Sequence, residues 1–358
     1  MLVYTNRIAN VVVFLFFLIF GFILKTMYDA GEFKRLEPHF SGDCSPVIGV
    51  VGAEDITFLS NGTALISSDD RRTRISGTEI QGTIYQYNPK AKNQKLINLM
   101  PELDTRFHPH GISVYEEPGG ETYLAVVNHH SSGLFNSSEG HSIDIFIYES
   151  NSLVHFMSVS SPLMISPNDI VLINKEQFYV TNDHGSSSRL EQTLEEYLQQ
   201  KKCNVLFYDG NEFRVVASDL GFANGININK DGSILYVAET IGKKLSIFSR
   251  DMKTNSLNLI QAINFNSGVD NIEVDNKDNL WIGSHPKMYT LSRHMNDSTV
   301  LSPSQVYKVS FDQNNNHTIE EIYLNLGEEL SGSTVAAVYN NIILIGSVFE
   351  NHFLDCSY

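Results

Sequence analysis

Five side chains able to offer oxygen to a hard cation recur along the chain in one frame, each just ahead of a strand-like run. They are Glu54, Asn168, Asn224, Asp270 and Asn271, set in Glu54-Asp55-Ile56, Asn168-Asp169-Ile170, Asn224-Gly225-Ile226 and Asp270-Asn271-Ile272. Calcium takes oxygens from carboxylates, amides, backbone carbonyls and water, and two carboxylates among five donors balance its charge. A single Asn or Asp at a strand entrance is more often a turn cap; five in one phase argue for a metal. Asp55 and Asp169 are displaced by one residue, so on a strand they face the other way. With the carbonyl of Ile112 they could hold a second ion. His110, in His110-Gly111-Ile112, shares the phase of the first set. Imidazole titrates near neutrality, so His110 reads as a general base, with His129 orienting it or shuttling its proton. His130, His184 and His285 lack the register and read as structural. Nucleophile-elbow, Walker and His-Glu-x-x-His sequences are absent.

Such residues converge only if the chain repeats in space. The aliphatics that follow them lie roughly 46 to 63 residues apart, and Ser333-Thr334-Val335 closes the series without an obvious ligand. Within each unit, hairpin-like pairs recur: Ile56–Leu59 with Ala64–Ile66, Ile170–Ile173 with Gln177–Val180, and Ile226–Ile228 with Ile234–Val237. Four-stranded sheets around a channel satisfy this pattern. The expected fold is all-β, a six-bladed propeller with central calcium ions. One short inserted helix is expected from the capping box Ser188-Arg-Leu-Glu191, with Leu190, Leu194, Tyr197 and Leu198 on one face. It either covers one mouth of the propeller or packs on the fold. The stretch 67–82, with Asp69, Asp70, Arg71, Arg72 and Arg74, reads as an exposed charged loop.

With 25 Lys and Arg against 41 Asp and Glu, the net charge of −16 argues against nucleic acid. Ile8 to Leu24 carries no charge and spans about 26 Å as a helix, just short of a bilayer core. Tyr28-Asp29-Ala30 is a poor cleavage site, which favours an uncleaved signal-anchor over a removed peptide. Residues 1–30 are therefore read as a transmembrane segment with a short flank, and 31–358 as the propeller. Arg7 and the amino terminus place the bulk in the lumen or outside the cell, or secreted if the segment is cleaved. Sequons at Asn61, Asn136, Asn296 and Asn316 agree with that side. Of three cysteines, Cys44 and Cys356 lie near the two ends of the folded part and could join its first strand to its last. The alternative, that all three are free, stays open at this point.

Longer strings carry a resemblance to the paraoxonase family of calcium-dependent lactonases and arylesterases, here as an invertebrate member. They include Pro109-His-Gly-Ile-Ser113, Val127-Asn-His129, Pro167-Asn-Asp-Ile170, Tyr179-Val-Thr-Asn-Asp-His184, Phe222-Ala-Asn-Gly-Ile-Asn-Ile228, Leu280-Trp-Ile-Gly-Ser-His-Pro286 and Gly332-Ser-Thr-Val-Ala-Ala-Val-Tyr339. The resemblance covers nearly all of the chain after the apolar segment. It implies two calcium ions: a catalytic one on Glu54, Asn168, Asn224, Asp270 and Asn271, and a structural one on Asp55, Asp169 and the Ile112 carbonyl. It also implies a His110–His129 dyad, a Cys44–Cys356 disulfide, a retained apolar segment and a small ester or lactone substrate. Two departures stand out: Ser284 replaces a cysteine, and Asp70 to Arg74 replaces a loop carrying an aromatic residue and a lysine. A resemblance to invertebrate relatives with a single anchor implies the alternative of a non-catalytic accessory or chaperone protein for membrane ion channels.

Overall fold

A computed structural model describes residues 2–78, 80–91, 96–100, 106–130 and 140–358, with backbone alone over 2–8. The sequon at Asn136 lies outside the described residues. Strand signals translate into antiparallel meanders. Three four-stranded sheets run in chain order. The first holds Pro109–Glu116, Thr122–His129, His141–Tyr148 and Leu153–Val159; the second, Pro167–Asn174, Gln177–Asn182, Cys203–Tyr208 and Phe213–Leu220. The third holds Ala223–Ile228, Ile234–Glu239, Lys244–Arg250 and Leu257–Asn264. A five-stranded sheet carries Gly268–Val274, Leu280–His285, Ser304–Phe311 and His317–Asn325, with His39–Phe40 on its outer edge. The last sheet joins Ala53–Phe58, Ala64–Ser68, Thr83–Tyr87 and Ile97–Asn98 to a second set, Ser333–Tyr339, Ile342–Ser347 and His352–Ser357 with Asp43–Ile48. One residue pair, Ser347 with Ala53, links the two sets.

The first strand of each set packs on the first strand of the next, and Ser333–Tyr339 packs back on Ala53–Phe58. The ring is closed, so its sheets lie face to face and their inner strands are apolar on both sides. Between them sit clusters such as Val127, Ile145, Ile170 and Val180, or Leu245, Ile272 and Ile282, all buried.

Every repeat of the motif falls in a β-bulge. Ladder register shifts between Ala53 and Ile56, Pro109 and Ile112, Pro167 and Ile170, Ala223 and Ile226, Val269 and Ile272, and Ser333 and Val335. A bulge leaves residues out of the ladder and re-aims their side chains, so the polar residues at each site are freed from strict alternation. Glycine is required where one bulge presses on the next. A Cβ at Gly111 would strike Asp169, and one at Gly225 would strike the backbone of Asp270 and Asn271.

Asp43–Ile48 pairs with His352–Ser357, and Cys44 lies opposite Cys356 in that ladder. The two form a disulfide across 312 residues of chain, while Cys203 is free and buried, its thiol pushed up to about 12 by that burial. The apolar N-terminal segment is a helix, Leu2–Asp29, longer than the uncharged stretch alone. Within it Ala9–Asp29 is long and apolar enough to cross a membrane, ~31 Å at helical rise. Its end is tied down: Gln199 donates to Asp29 at 3.0 Å, Met288 N–H to the Ala30 carbonyl at 2.9 Å, and Thr290 Oγ1 to Glu32 at 2.6 Å.

One expectation needs correction. The stretch 67–82 is an exposed loop only over 76–78 and 80–81: Asp69, Arg71 and Arg74 are buried, and Arg71–Ile75 is a short helix capped by Asp70. Asp69 pairs with Arg74 and accepts from His108 at 3.1 Å, so those two charges are paired inside, whereas the terminal nitrogens of Arg71 bond no partner. The capping-box helix forms as expected, as Arg189–Tyr197 with Ser188 accepting from Glu191 N–H, and its polar face turns inward. Gln192 and Glu195 are buried while Leu190, Leu194, Tyr197 and Leu198 face outward, because Glu195 accepts from Gly185 N–H and Gln192 donates to the Ser186 carbonyl, both at 3.0 Å.

Removing the end-to-end bridge releases a very long loop in the unfolded chain. A Cys44→Ser/Cys356→Ser double variant is expected to lose roughly 2–5 kcal/mol of stability, read from its denaturant midpoint. An unchanged midpoint would mean that the ladder alone closes the ring.

Candidate functional site

The bulges bring Glu54, Asn168, Asn224, Asp270 and Asn271 together at one end of the ring, where all five are buried and the first four line one cavity of about 370 Å³. Each donates or accepts on one side only. Asn271 Nδ2 donates to Glu54 Oε1 at 2.9 Å, Asn168 Nδ2 to Asp183 Oδ2 at 3.1 Å, and Asn224 Nδ2 to Thr240 Oγ1 at 3.1 Å. His285 Nε2 lies 2.6 Å from Asp270 Oδ2. The remaining oxygens, Glu54 Oε2, Asn168 Oδ1, Asn224 Oδ1, Asp270 Oδ1 and Asn271 Oδ1, are buried with no hydrogen-bond partner. An oxygen stripped of water and left unpaired is costly, and a cation would offset that cost for five of them at one hub. Among the described residues no three His, Cys, Asp or Glu side chains gather as a metal-binding group. The set here is mixed, two carboxylates and three amides, which suits a hard cation and not zinc.

Asp55 and Asp169 point elsewhere, as the one-residue offset requires. Asp55 accepts the Ile112 N–H at 2.8 Å and the Ile56 N–H at 2.9 Å; Asp169 accepts the Ile226 and Ile170 N–H groups, both at 2.7 Å. Each carboxylate thus stitches its own strand to the first strand of the next set, a job the sequence reading did not assign. The contact with Ile112 is through its N–H. Burial, then the charge of Glu54, holds Asp55 well above the usual carboxylate range; burial, then Asp55, does the same to Asp169. Burial also raises Asp270, although His285 opposes it, whereas in Glu54 burial is outweighed by His110 and other partners and the carboxyl is lowered.

His110 stands beside the oxygen cluster, its Nε2 3.5 Å from Glu54 Oε1. Its Nδ1 lies 2.8 Å from His129 Nε2, and His129 Nδ1 lies 2.8 Å from His141 Nδ1. Burial, helped by His110 and His141, pushes His129 well below its ordinary value, so it stays neutral. His141 was missed from the sequence because it enters from the third strand of its sheet, opposite His129, where no motif marks it. His285 and His184, read as structural, also line the cavity; His285 orients Asp270. His184 Nδ1 lies 2.7 Å from Asp183, the acceptor for Asn168, and its Nε2 is 3.1 Å from Glu196. Ser333 and Thr334 supply no orphan oxygen, though Thr334 Oγ1 donates to the Glu54 carbonyl at 2.6 Å and so fixes that strand.

A closed ring of antiparallel sheets with a polar hub and one-ended cavity defines the class of protein. Solved structures agree: a gluconolactonase from Xanthomonas campestris aligns over 91% of this chain and 99% of its own at a TM-score of 0.52 and 13% identity. A regucalcin from Agrobacterium tumefaciens aligns over 88% and 93% at 0.51 and 12%. These show the fold. The arylesterase family model matches residues 41–357. Human serum paraoxonase/arylesterase 1 is 32% identical over 336 residues, 88% of this chain and 89% of that protein; human serum paraoxonase/arylesterase 2 is 30% identical over 318, 86% of each. The chain belongs to the paraoxonase/arylesterase family.

Burial works against a charge on His184, but the Asp183 carboxylate and Glu196 outweigh it and raise the imidazole to about 10, while Asp183 falls to about 2. A raised folded value means that the stabilisation from charged His184 fades as pH climbs from 6.5 toward 10, while the lowered value of Asp183 confines its loss to pH below about 4. Unfolding midpoints should therefore drop more between pH 6.5 and 10 in the parent protein than in His184→Gln. Parallel pH profiles would contradict the charged pair.

Proposed function

We propose that this chain is a calcium-dependent ester hydrolase acting on lactones or aryl esters, built as a six-bladed propeller over 31–358. The family points to a hydrolase; the observation that carries the finer reading is the set of five buried oxygens left without partners. Glu54, Asn168, Asn224, Asp270 and Asn271 would hold one calcium ion, with His285 fixing the Asp270 carboxylate and Asp183 fixing the Asn168 amide. Asp55, Asp169 and the Ile112 carbonyl would hold a second, structural ion. When bound, the first ion polarises an ester carbonyl and opposes the charge that grows on its oxygen.

Proton movement falls to the histidines. One tautomer set satisfies the relay: His110 Nδ1–H donates to His129 Nε2, and His129 Nδ1–H donates to His141 Nδ1. His110 Nε2 is then free to take the proton of an attacking water, and the imidazolium so formed faces the Glu54 carboxylate. His129, held neutral, keeps the ring oriented. The rest of the chain serves placement. Residues 1–30 would anchor the propeller to a membrane with its bulk in the lumen or outside the cell, and Asn61, Asn296 and Asn316 are exposed where sugars could attach.

The test is hydrolysis of phenyl acetate and of a lactone panel by the purified protein, with calcium and with a chelator. Activity should vanish with chelation, and His110→Gln should lower kcat about 100-fold or more. Turnover that survives complete calcium removal would overturn the mechanism.

A further inference from the structure

One charged side chain in the cavity has no use in that mechanism. Arg71 is only 5% exposed and lines the cavity with Glu54, His110 and His129. Both terminal nitrogens of its guanidinium, Nη1 and Nη2, are buried without a hydrogen-bond partner, and it forms no ion pair among the described residues. The charge of Arg71 helps to lower Asp69 and Glu54, yet neither carboxylate bonds its terminal nitrogens. Asp69 is held by Arg74 and His108, and Glu54 Oε1 by Asn271 and His110. The residues around Arg71 are pinned: its own N–H donates to the Asp69 carbonyl at 2.9 Å, and Asp70 caps Thr73 N–H at 3.0 Å. Arg72 is tied to the Phe349 and His294 carbonyls at 2.7 and 2.8 Å. A guanidinium held still, stripped of water and given no acceptor is a preorganised anion site.

We propose that Arg71 sets substrate choice by taking a carboxylate carried on the ester or lactone away from the scissile carbonyl. This rests on the hydrolase reading for the position of that carbonyl. Two adjacent N–H donors match the two oxygens of a carboxylate. A doubly charged phosphate fits less well, because Glu54, Asp183 and Asp270 line the same cavity and its other cations, Arg74, His184 and Arg189, already face carboxylates.

Full-length protein with calcium is assayed on monophenyl glutarate and on phenyl pentanoate, which differ in the remote carboxylate. In Arg71→Gln the ratio of kcat/KM for the first over the second should fall at least tenfold, with Arg71→Lys in between; circular dichroism checks that both variants fold. A ratio unchanged across the three proteins overturns the proposal and leaves the hydrolase intact. If the parent cleaves neither ester, the hydrolase reading fails instead, and glutarate binding by calorimetry decides for Arg71. Binding weakened at least tenfold by Arg71→Gln supports the anion site, and equal or absent binding in parent and variant overturns it.

Discussion

Burying oxygen without a partner is unfavourable, and this ring buries five such oxygens at one point. Glu54, Asn168, Asn224, Asp270 and Asn271 come from four strands of four different sets, and each has half of its polar side chain satisfied and half left open. The rest of the fold is arranged to hold them there. Bulges interrupt each inner ladder where it reaches the hub, and glycines at 111 and 225 let successive bulges touch. Carboxylates at 55 and 169 lace neighbouring strands through backbone N–H groups. Burial first, then the charges of neighbouring acids, hold those two carboxyls well above the usual range, so a bound cation would relieve the same strain that the ring imposes.

Much of this was legible in the chain because the bulge recurs in phase. The repeat of polar pair and aliphatic marked every inner strand and all five orphan oxygens before any coordinates, and the offset of Asp55 and Asp169 gave their opposite direction. The bridge between Cys44 and Cys356 followed the resemblance and lies in a paired ladder. What escaped depends on contacts far apart in sequence. Asp69 meets His108 across 39 residues and pairs with Arg74, so part of a charged run that looks solvated is buried. His141 and His285 reach the site from second and third strands, which carry no repeat of their own. The helix Arg189–Tyr197 has the right cap and period, yet periodicity says only that two faces differ and not which one turns inward.

That helix and Met288–Asn296 share a second feature. Arg189, Gln192 and Glu196 from the first, and Met288, Leu291 and Met295 from the second, wall the cavity. The apolar N-terminal helix ends against the same two elements, through Asp29 with Gln199 and through Ala30 and Glu32 with Met288 to Thr290. Cavity and apolar helix therefore meet the same side of the ring, and the outward Leu190, Leu194 and Tyr197 lie on that helix too. The oxygen cluster, the three linked histidines and Arg71 thus line one cavity although they are supplied by different parts of the chain.

The most direct measurement is a crystal structure of the protein grown with calcium. The expected result is one ion bonded at roughly 2.3–2.6 Å to the free oxygens of Glu54, Asn168, Asn224, Asp270 and Asn271. Calcium found elsewhere, with those five oxygens turned to waters or to one another, would contradict it.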